Sequence, residues 1–409
     1  MSVASSPASE PPADSAAGPA AKRRAMGAAC GAHVLHDGYT DLIFVMLPLW
    51  QAEFGIGYAA LGLLRTCYSG AMAGFQIPSS LAAERFGVPL VLALGTALSG
   101  IGYLIAGASV GVWTLVIALL IGGLGSSTQH PLASSLVAGA YAGPRSLKAL
   151  GTYNFAGDLG KMLVPAAASL LLVAMPWQPV LALLGVCGLV AAVAIYGLTP
   201  RLLVETAAVP GATTKPAAIE GGRTSRLGFP LLLSIGMLDS ATRMGFLIFL
   251  PFLLLAKGAA LPTVGLALTL VFAGGAAGKL VCAFVGARIG VIATVCLTEG
   301  LTTAGILALL PLPLEAALVL LPLIGVMLNG TSSVLYGSVP ELVAPAKRTR
   351  AFGIFYTGTI GAGATAPAAY GLVGDLIGMP MALAAIAGVC LLTLPLALVL
   401  RPNLPPSAR

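Results

Sequence analysis

Charged residues are scarce in this sequence. Only 9% of its 409 residues are Asp, Glu, Lys or Arg, whereas 58% are hydrophobic. A water-soluble protein of this length needs far more charge to cover its surface, so the composition excludes a soluble globular domain. Apolar runs of about 20 residues recur along the chain, and a helix of that length crosses the hydrocarbon core of a bilayer. The sequence therefore predicts an all-α membrane protein that crosses the lipid bilayer many times.

Residue patterns for catalysis and cofactor binding are also missing. The sequence contains no phosphate-binding Walker loop, no nucleophile elbow and no metal-ligand spacing. The six cysteines fall in apolar segments, where we expect buried free thiols. The net charge of +7 lies in short loops rather than in a basic patch with interleaved aromatic residues. We therefore expect no enzymatic activity, no cofactor, no metal and no nucleic-acid partner.

Hydropathy divides the chain into twelve predicted spans in two halves. Residues 26–199 form the first six-helix half and residues 229–400 the second, joined by a polar linker at 200–228. Residues 1–25 are rich in Ala, Ser and Pro, so we expect a disordered tail, and residues 401–409 form a second tail. The spans are predicted at 29–52, 58–82, 88–109, 112–139, 148–174, 177–198, 229–255, 262–286, 290–310, 314–338, 349–373 and 379–400.

Basic residues predict the orientation of the spans. Sixteen of the 21 Lys and Arg residues lie in segments that share one side of the membrane, and only Lys257 lies in a loop on the other side. Short cytoplasmic loops carry an excess of Lys and Arg, so this side is expected to be the cytoplasm. The tails and the linker are then cytoplasmic, in a multi-pass protein of the cell (inner or cytoplasmic) membrane.

The two halves repeat one another at an offset of about 202 residues. The matching pairs are Asp37 with Asp239, Thr40 with Thr242, Phe44 with Phe246, Arg85 with Arg288, Gly87 with Gly290, and Pro165 with Pro367. Two six-helix halves in the same orientation indicate a parallel repeat about an axis along the membrane normal. Such a repeat predicts a site between the halves, near the midplane.

This arrangement resembles the major facilitator superfamily. The loop between the second and third spans reads Ser80-Leu-Ala-Ala-Glu84-Arg85-Phe-Gly87-Val-Pro, which is similar to the superfamily signature Gly-x-x-x-Asp-Arg-x-Gly-Arg-Arg. Glu84, Arg85 and Gly87 match, and the resemblance implies that they are candidates for a conformational latch. Ser80 replaces the leading Gly and a Val-Pro pair replaces the trailing basic residues, which weakens that role.

The first half resembles, more narrowly, the fosmidomycin-resistance-like branch of that superfamily. The matching motifs are His33-x-x-x-Asp37-x-Tyr39 with Leu47-Pro48, Phe54-Gly-Ile-Gly-Tyr58-Ala-Ala-Leu-Gly62, and Gly125-Ser-Ser-Thr-Gln-His130-Pro131. The second half supports only the superfamily. His36 stands where Asn is expected and Arg65 enters a span that is normally uncharged, so the substrate need not be the branch's namesake phosphonate.

The first span carries a stripe of ionisable residues. His33, Asp37 and Asp41 recur every four residues and therefore share one face of a helix. Such groups cost about 2.5–3.5 kcal/mol each at membrane depth on insertion scales, and they usually face a protein interior or a watery cavity. Asp37, Asp41 and His130 are our candidates for proton coupling. The alternatives are a permanent Asp41–Arg65 pair and a purely structural His130.

Arg243 is the leading candidate for substrate binding, because its planar guanidinium recognises carboxylate and phosphate groups. The competing explanation is that acidic and basic residues of the spans neutralise one another, as Asp158 could do with Lys161 three residues later. The further substrate-binding candidates are His36, Arg65, Asn154, Asp239, Lys279 and Asn329. Helix packing is the alternative role for Asn329.

The resemblance implies a secondary transporter that works by alternating access of its two halves. We expect a proton-driven antiporter that exports a small organic compound, such as an antibiotic or a metabolite, with anions among the candidates. Its expected partners are that substrate, protons and the lipid bilayer, and it is expected to be a monomer. The alternatives are uptake of a small organic anion by proton symport and a non-transporting receptor with the same fold.

Glu299 is an acidic residue in a span where we expect no site residue. It lies inside the predicted ninth span, which the resemblance places at the periphery of the bundle. A peripheral pairing or a misplaced span boundary is favoured over a coupling role.

Overall fold

The computed structural model describes residues 18–141, 144–200, 227–344 and 348–404. Residues 1–17, 201–226 and 405–409, which hold most of the predicted tails and linker, lie outside the described residues. The first helix begins at Pro19, ahead of the half boundary predicted at residue 26.

Every regular element in the described residues is helical, as predicted. The α-helices are α1 (Pro19–Phe54), α2 (Tyr58–Gly74), α3 (Gln76–Phe86), α4 (Val88–Gly107), α5 (Val112–Ser126), α6 (Gln129–Ala140), α7 (Pro144–Ala174), α8 (Trp177–Leu198), α9 (Gly228–Ala256), α10 (Leu261–Ile289), α11 (Val291–Leu309), α12 (Leu314–Leu342), α13 (Arg348–Ile377), α14 (Met379–Leu391) and α15 (Thr393–Leu400). A short 3₁₀ turn, Arg401–Asn403, follows α15.

These helices form twelve membrane-length segments. Nine segments of the described chain are both long and apolar enough to cross a membrane. The other three, 19–54, 58–86 and 348–377, are also long enough but include more polar residues. Six segments precede the linker and six follow it, so the twelve-span fold with two six-helix halves is confirmed.

Proline accounts for the three spans that consist of two helices each. The breaks are at Phe75 before Pro78, at Thr128 before Pro131, and at Leu392 before Pro395. Proline has no N–H to donate to the carbonyl four residues earlier, and its ring crowds that carbonyl. A proline permits a break without forcing one, since Pro48 and Pro165 lie inside the unbroken α1 and α7.

The packing of the helices repeats between the halves. The packed pairs α1–α7, α2–α5 and α4–α8 of the first half correspond to α9–α13, α10–α12 and α11–α14 of the second. Gly87 and Gly290 begin equivalent helices with φ of +87° and +85°, a region that L side chains rarely adopt. The repeat predicted from residue pairs is therefore visible in the helix packing and in the turns.

The two halves meet along α2–α13 and α7–α10, with α1 beside α9. We call the side of the bundle that bears residues 18 and 404 the termini side, and the opposite side the far side. On the far side, one apolar core includes residues of both halves, from Tyr39 to Ala387. On the termini side there are two separate cores, one within 25–195 and one within 232–404. The halves are therefore packed together on the far side and separated on the termini side.

Direct contacts close the far side. The carboxylate of Asp375 on α13 accepts hydrogen bonds from the backbone N–H groups of Tyr58 (2.7 Å) and Ala59 (3.0 Å) at the start of α2. Gly62 lies so close to α13 that a Cβ there would be 2.6 Å from the backbone of Ala368. These contacts hold the two halves together on the far side.

Candidate functional site

The stripe predicted on α1 is buried inside the first half. His33, Asp37 and Asp41 are each no more than 6% exposed. Buried ionisable groups need partners on neighbouring helices. The structure supplies them from α2, α6 and α7.

Asp37 is the centre of a four-residue cluster. Its carboxylate lies 3.2 Å from His33 Nε2, 3.6 Å from His130 Nε2 and 3.3 Å from Lys161 Nζ. These partners come from α1, α6 and α7, so residues far apart in sequence meet around one carboxylate. The His130 side chain is 44% exposed although it contacts a buried acid.

Backbone and glycine contacts fix the orientation of His33. Its Nδ1 donates a hydrogen bond of 2.8 Å to the carbonyl of Tyr153, and the two rings stack with centroids 4.2 Å apart. Gly157 on α7 faces the ring, and a Cβ there would lie 2.4 Å from His33 Nε2. Because Nδ1 carries the hydrogen that it donates, a proton between Nε2 and Asp37 must belong to one of those two groups.

Three side chains of the Asp37 cluster are of residue types that bind metal ions. One ligand atom each from His33, Asp37 and His130 lie within 4.8 Å of one another, an arrangement that spacing in the sequence does not predict. Lys161 already brings an ammonium group beside Asp37, and this charge would repel a metal cation. Ion pairing and hydrogen bonding account for the cluster without a metal.

Asp41 pairs with Arg65, which is the alternative to proton coupling that the sequence predicts. Arg65 Nη2 lies 3.8 Å from Asp41 Oδ1, and the guanidinium lies over the ring of Phe44 at 4.9 Å from its centroid. Both side chains of the ion pair are buried. The pair lies one turn farther along α1 than the Asp37 cluster.

His36 is separated from the Asp37 cluster. Its ring is hydrogen-bonded to Thr96 (3.0 Å) and Ser126 (3.2 Å), and Ser126 is also bonded to Tyr68 (2.7 Å). The side chain is 2% exposed and faces α4 and α5 within the first half. Its position is that of a packed polar contact between helices, although the sequence makes it a substrate-binding candidate.

Asp158 does not pair with Lys161, which corrects the structural pairing considered from the sequence. Its carboxylate instead accepts bonds of 2.7 and 2.8 Å from Lys279 Nζ on α10, across the boundary between the halves. Lys161 turns toward Asp37 because α1 packs tightly on α7. Asn154, one turn before Asp158, is exposed and lies on the same face of α7.

The second half has a smaller polar group around Asp239 and Arg243 on α9. Both residues line a cavity, together with Ser332, Tyr336 and Thr359. Asp239 is 3% exposed, and Arg243 Nε is buried without a hydrogen-bond partner among the described residues. This cavity could receive a polar ligand atom at Arg243.

Asn329 and Glu299 occupy interior positions of the second half. Asn329 donates to the carbonyl of Gly325 (3.3 Å) and packs closely on Gly275 of α10, so helix packing accounts for it. Glu299 lies in the middle of α11 and is 2% exposed. A misplaced span boundary, one of the explanations favoured from the sequence, is therefore wrong for Glu299.

The latch candidates lie on the termini side. Glu84 and Arg85 are exposed at the end of α3, where the Arg85 guanidinium lies 5.4 Å from the centroid of the Phe86 ring. Gly87 supplies the positive φ of the turn that follows. α3 packs on α4 and α6 of its own half.

Several residues of the site were missed by the sequence analysis. Tyr153 accepts a hydrogen bond from His33 through its carbonyl. Thr96 and Ser126 are hydrogen-bonded to His36, and Tyr68 is hydrogen-bonded to Ser126. Hydroxyl-bearing residues are common in apolar helices, so their type alone does not mark them. Their depth relative to the α1 stripe is the signal that could have found them.

Comparisons with known proteins agree with this architecture. The sequence model of the Major Facilitator Superfamily matches residues 29–238 and 232–409. The Fosmidomycin resistance protein of Escherichia coli (strain K12) is 30% identical over 149 residues. That match covers 36% of this chain and 36% of the relative, so it spans about a third of the relative's length.

Solved transporter structures share the fold. A bacterial homologue of the human lysosomal transporter Spinster, in an inward-facing and unoccupied conformation, has a TM-score of 0.78 at 13% identity, with 96% of this chain and 99% of that chain covered. A mutant of the nucleoside transporter NupG has a TM-score of 0.71 at 15% identity, with 94% and 99% covered. At these identities the likeness concerns the fold alone.

Proposed function

Because the chain belongs to the Major Facilitator Superfamily, we propose that it is a proton-coupled secondary transporter that works by alternating access. The observation that carries this proposal is the Asp37 cluster. A buried carboxylate contacts two imidazoles and one ammonium group, and one of the imidazoles, that of His130, is 44% exposed. His130 can therefore carry protons to and from Asp37.

Lys161 connects the protonation of Asp37 to the interface between the halves. It interacts electrostatically with Asp41 and Asp158 as well as with Asp37. When Asp37 accepts a proton, Lys161 loses its nearest ionised partner and is drawn toward the other two carboxylates. Asp158 is the first-half member of the ion pair with Lys279, so this shift reaches a contact between the halves.

Alternating access follows from the asymmetric packing of the halves. The far side is held by the Asp375 contacts to α2 and by close helix packing, while the termini side is separated into two cores. Rocking of one half against the other would open the far side and close the termini side. The positive-inside bias of the loops supports a cytoplasmic termini side in the inner membrane.

The proposed substrate is a small organic anion, which the transporter exports in exchange for protons. Arg243 lines the cavity of the second half and carries a buried N–H without a partner among the described residues. An anionic group is the ligand that such a guanidinium binds best. The partial match to a fosmidomycin resistance protein makes a phosphonate the first compound to test.

Proteoliposomes with an internal pH dye test the proposal. Fosmidomycin added to one side should move protons in the wild type, whereas Asp37→Asn should pass fosmidomycin down its own gradient without moving protons. Glu315→Gln is the matched control, because Glu315 is an exposed acid at the start of α12. Proton movement that survives in Asp37→Asn would refute the coupling role. Absence of flux for fosmidomycin and for a panel of organic anions would refute the substrate class.

A further inference from the structure

The cavity beside α9 is lined by two side chains of opposite charge. Asp239 and Arg243, one helical turn apart on α9, both line it. Residues four apart on a helix have Cβ atoms about 5–6 Å apart, which is close enough for their side chains to pair. The two side chains nevertheless form no ion pair with each other in the part of the chain that the structure describes. The cavity therefore offers a ligand an acidic group and a basic group that are separate.

The acidic side of the cavity is the Asp239 carboxylate, which is 3% exposed. An ionised carboxylate has only acceptor oxygens and needs hydrogen-bond donors or a positive charge beside it. The two hydroxyl groups in the cavity wall donate elsewhere, since Ser332 donates to the carbonyl of Asn329 (3.0 Å) and Thr359 to that of Phe355 (2.9 Å). A ligand in the cavity could therefore supply Asp239 with a donor.

The basic side of the cavity has donors to spare. Arg243 Nε and the Tyr336 hydroxyl are both buried without a hydrogen-bond partner among the described residues, and both residues line the cavity. An acidic group of a ligand has oxygens that can accept from a guanidinium and from a hydroxyl. Acceptors are therefore needed on this side of the ligand and donors on the side of Asp239.

We propose that the substrate carries an ammonium group as well as an acidic group, and that Asp239 binds the first while Arg243 binds the second. This inference rests on the proposed function, because it takes the cavity to be the substrate site and narrows the class of anion. A ligand with an acidic group alone would bring a second negative charge beside Asp239, and a simple cation would meet Arg243. Because the two residues lie one helical turn apart, a chain of about three carbons suits the distance between the two ligand groups.

Two phosphonates that differ only in the ammonium group test this inference. 3-Aminopropylphosphonate and propylphosphonate share one carbon chain, and a compound that binds the folded protein raises its unfolding temperature. The purified full-length wild type should bind the amino compound about tenfold more tightly or better, as expected for one hydrogen bond between charged groups. Equal affinities, or no stabilisation by either compound, would overturn the inference. The comparison needs no variant, so misfolding cannot imitate its result.

Variants assign the preference to Asp239. Asp239→Asn keeps the shape of the side chain without its charge and should bind the two compounds about equally, whereas Asp239→Glu keeps the charge and should retain the preference. Arg243→Gln should weaken the binding of both compounds. The control Glu315→Gln, at an exposed acid, should behave as the wild type. A preference that persists in Asp239→Asn would show that another acid binds the ammonium group and would refute the assignment.

Proton movement separates this inference from the proposed function. In proteoliposomes with an internal pH dye, 3-aminopropylphosphonate should move protons through the wild type. If it binds with the expected preference but moves no protons, the proposed proton coupling fails and the inference about the ligand stands. If fosmidomycin moves protons while the two phosphonates bind equally, the proposed function stands and this inference fails.

Discussion

Lys161 Nζ lies 3.3 Å from Asp37 Oδ2, whereas the acid nearest to it on its own helix, Asp158, is bound to Lys279 of the other half. Each lysine therefore balances an acid on a different helix. These two ion pairs link α1 to α7 within the first half and α7 to α10 across the interface. The first ion pair lies within one half and the second joins the two.

Removing Lys161 should destabilise the protein strongly. Lys161→Met leaves Asp37 buried with only the imidazoles beside it, and loss of one partner of a buried pair costs about 3 kcal/mol, at the low end of the known range because the Lys161 side chain is 31% exposed. Thermal unfolding in lipid or detergent measures the effect. Lys279→Met is the matched control, and it should cost about 1 kcal/mol or less because Lys279 is 44% exposed.

A double variant tests whether the stability loss in Lys161→Met comes from the unpaired Asp37. Asp37→Asn combined with Lys161→Met should recover most of the lost stability, because neither charge is then left alone. If the two single losses simply add in the double variant, the two side chains do not form the pair described.

Gly157 should be essential for the orientation of His33. A Cβ at this position would lie 2.4 Å from His33 Nε2, so Gly157→Ala must push the ring away from Asp37. A charge-assisted hydrogen bond of this kind contributes about 1.5–3 kcal/mol, so proton-driven flux should fall by about tenfold or more. Gly151→Ala, on the same helix with nothing within 4 Å of the added Cβ, should leave flux unchanged. Equal flux in the two variants would show that His33 is not needed for coupling.

The fold could be predicted from the sequence because lipid imposes simple rules. Apolar runs of bilayer length predict the spans, and pairs such as Asp37 with Asp239 predict the repeat. The three helix breaks do not follow from the sequence, although each lies just before a proline, because other prolines remain inside unbroken helices.

The partners of the ionisable residues were harder to predict. Spacing along one helix favours Asp158 with Lys161, but the packing of α1 on α7 brings Lys161 to Asp37 instead. The Asp41–Arg65 pair is one of the alternatives that the sequence predicts, and the structure contains it.

Gly62 should control closure of the far side. It lies on α2 opposite the backbone of Pro367 and Ala368 on α13, and an added Cβ would approach that backbone to 2.6 Å. Backbone cannot move aside as a flexible side chain can, so Gly62→Val should destabilise the closed far side by about 1–3 kcal/mol. The halves should then separate there, since the packing of the far side is what holds them together.

Spin labels at the far-side ends of α2 and α13 can measure this separation. Gly62→Val should shift the distance distribution toward longer values, which corresponds to roughly a tenfold change in population for each 1.4 kcal/mol. Gly70→Val is the matched control, because Gly70 lies on the same helix and an added Cβ there meets nothing within 4 Å, so its distribution should match the wild type. An unchanged distribution in Gly62→Val would mean that α2 and α13 tolerate a larger spacing on the far side. The close approach of the two helices would then not be what keeps that side shut.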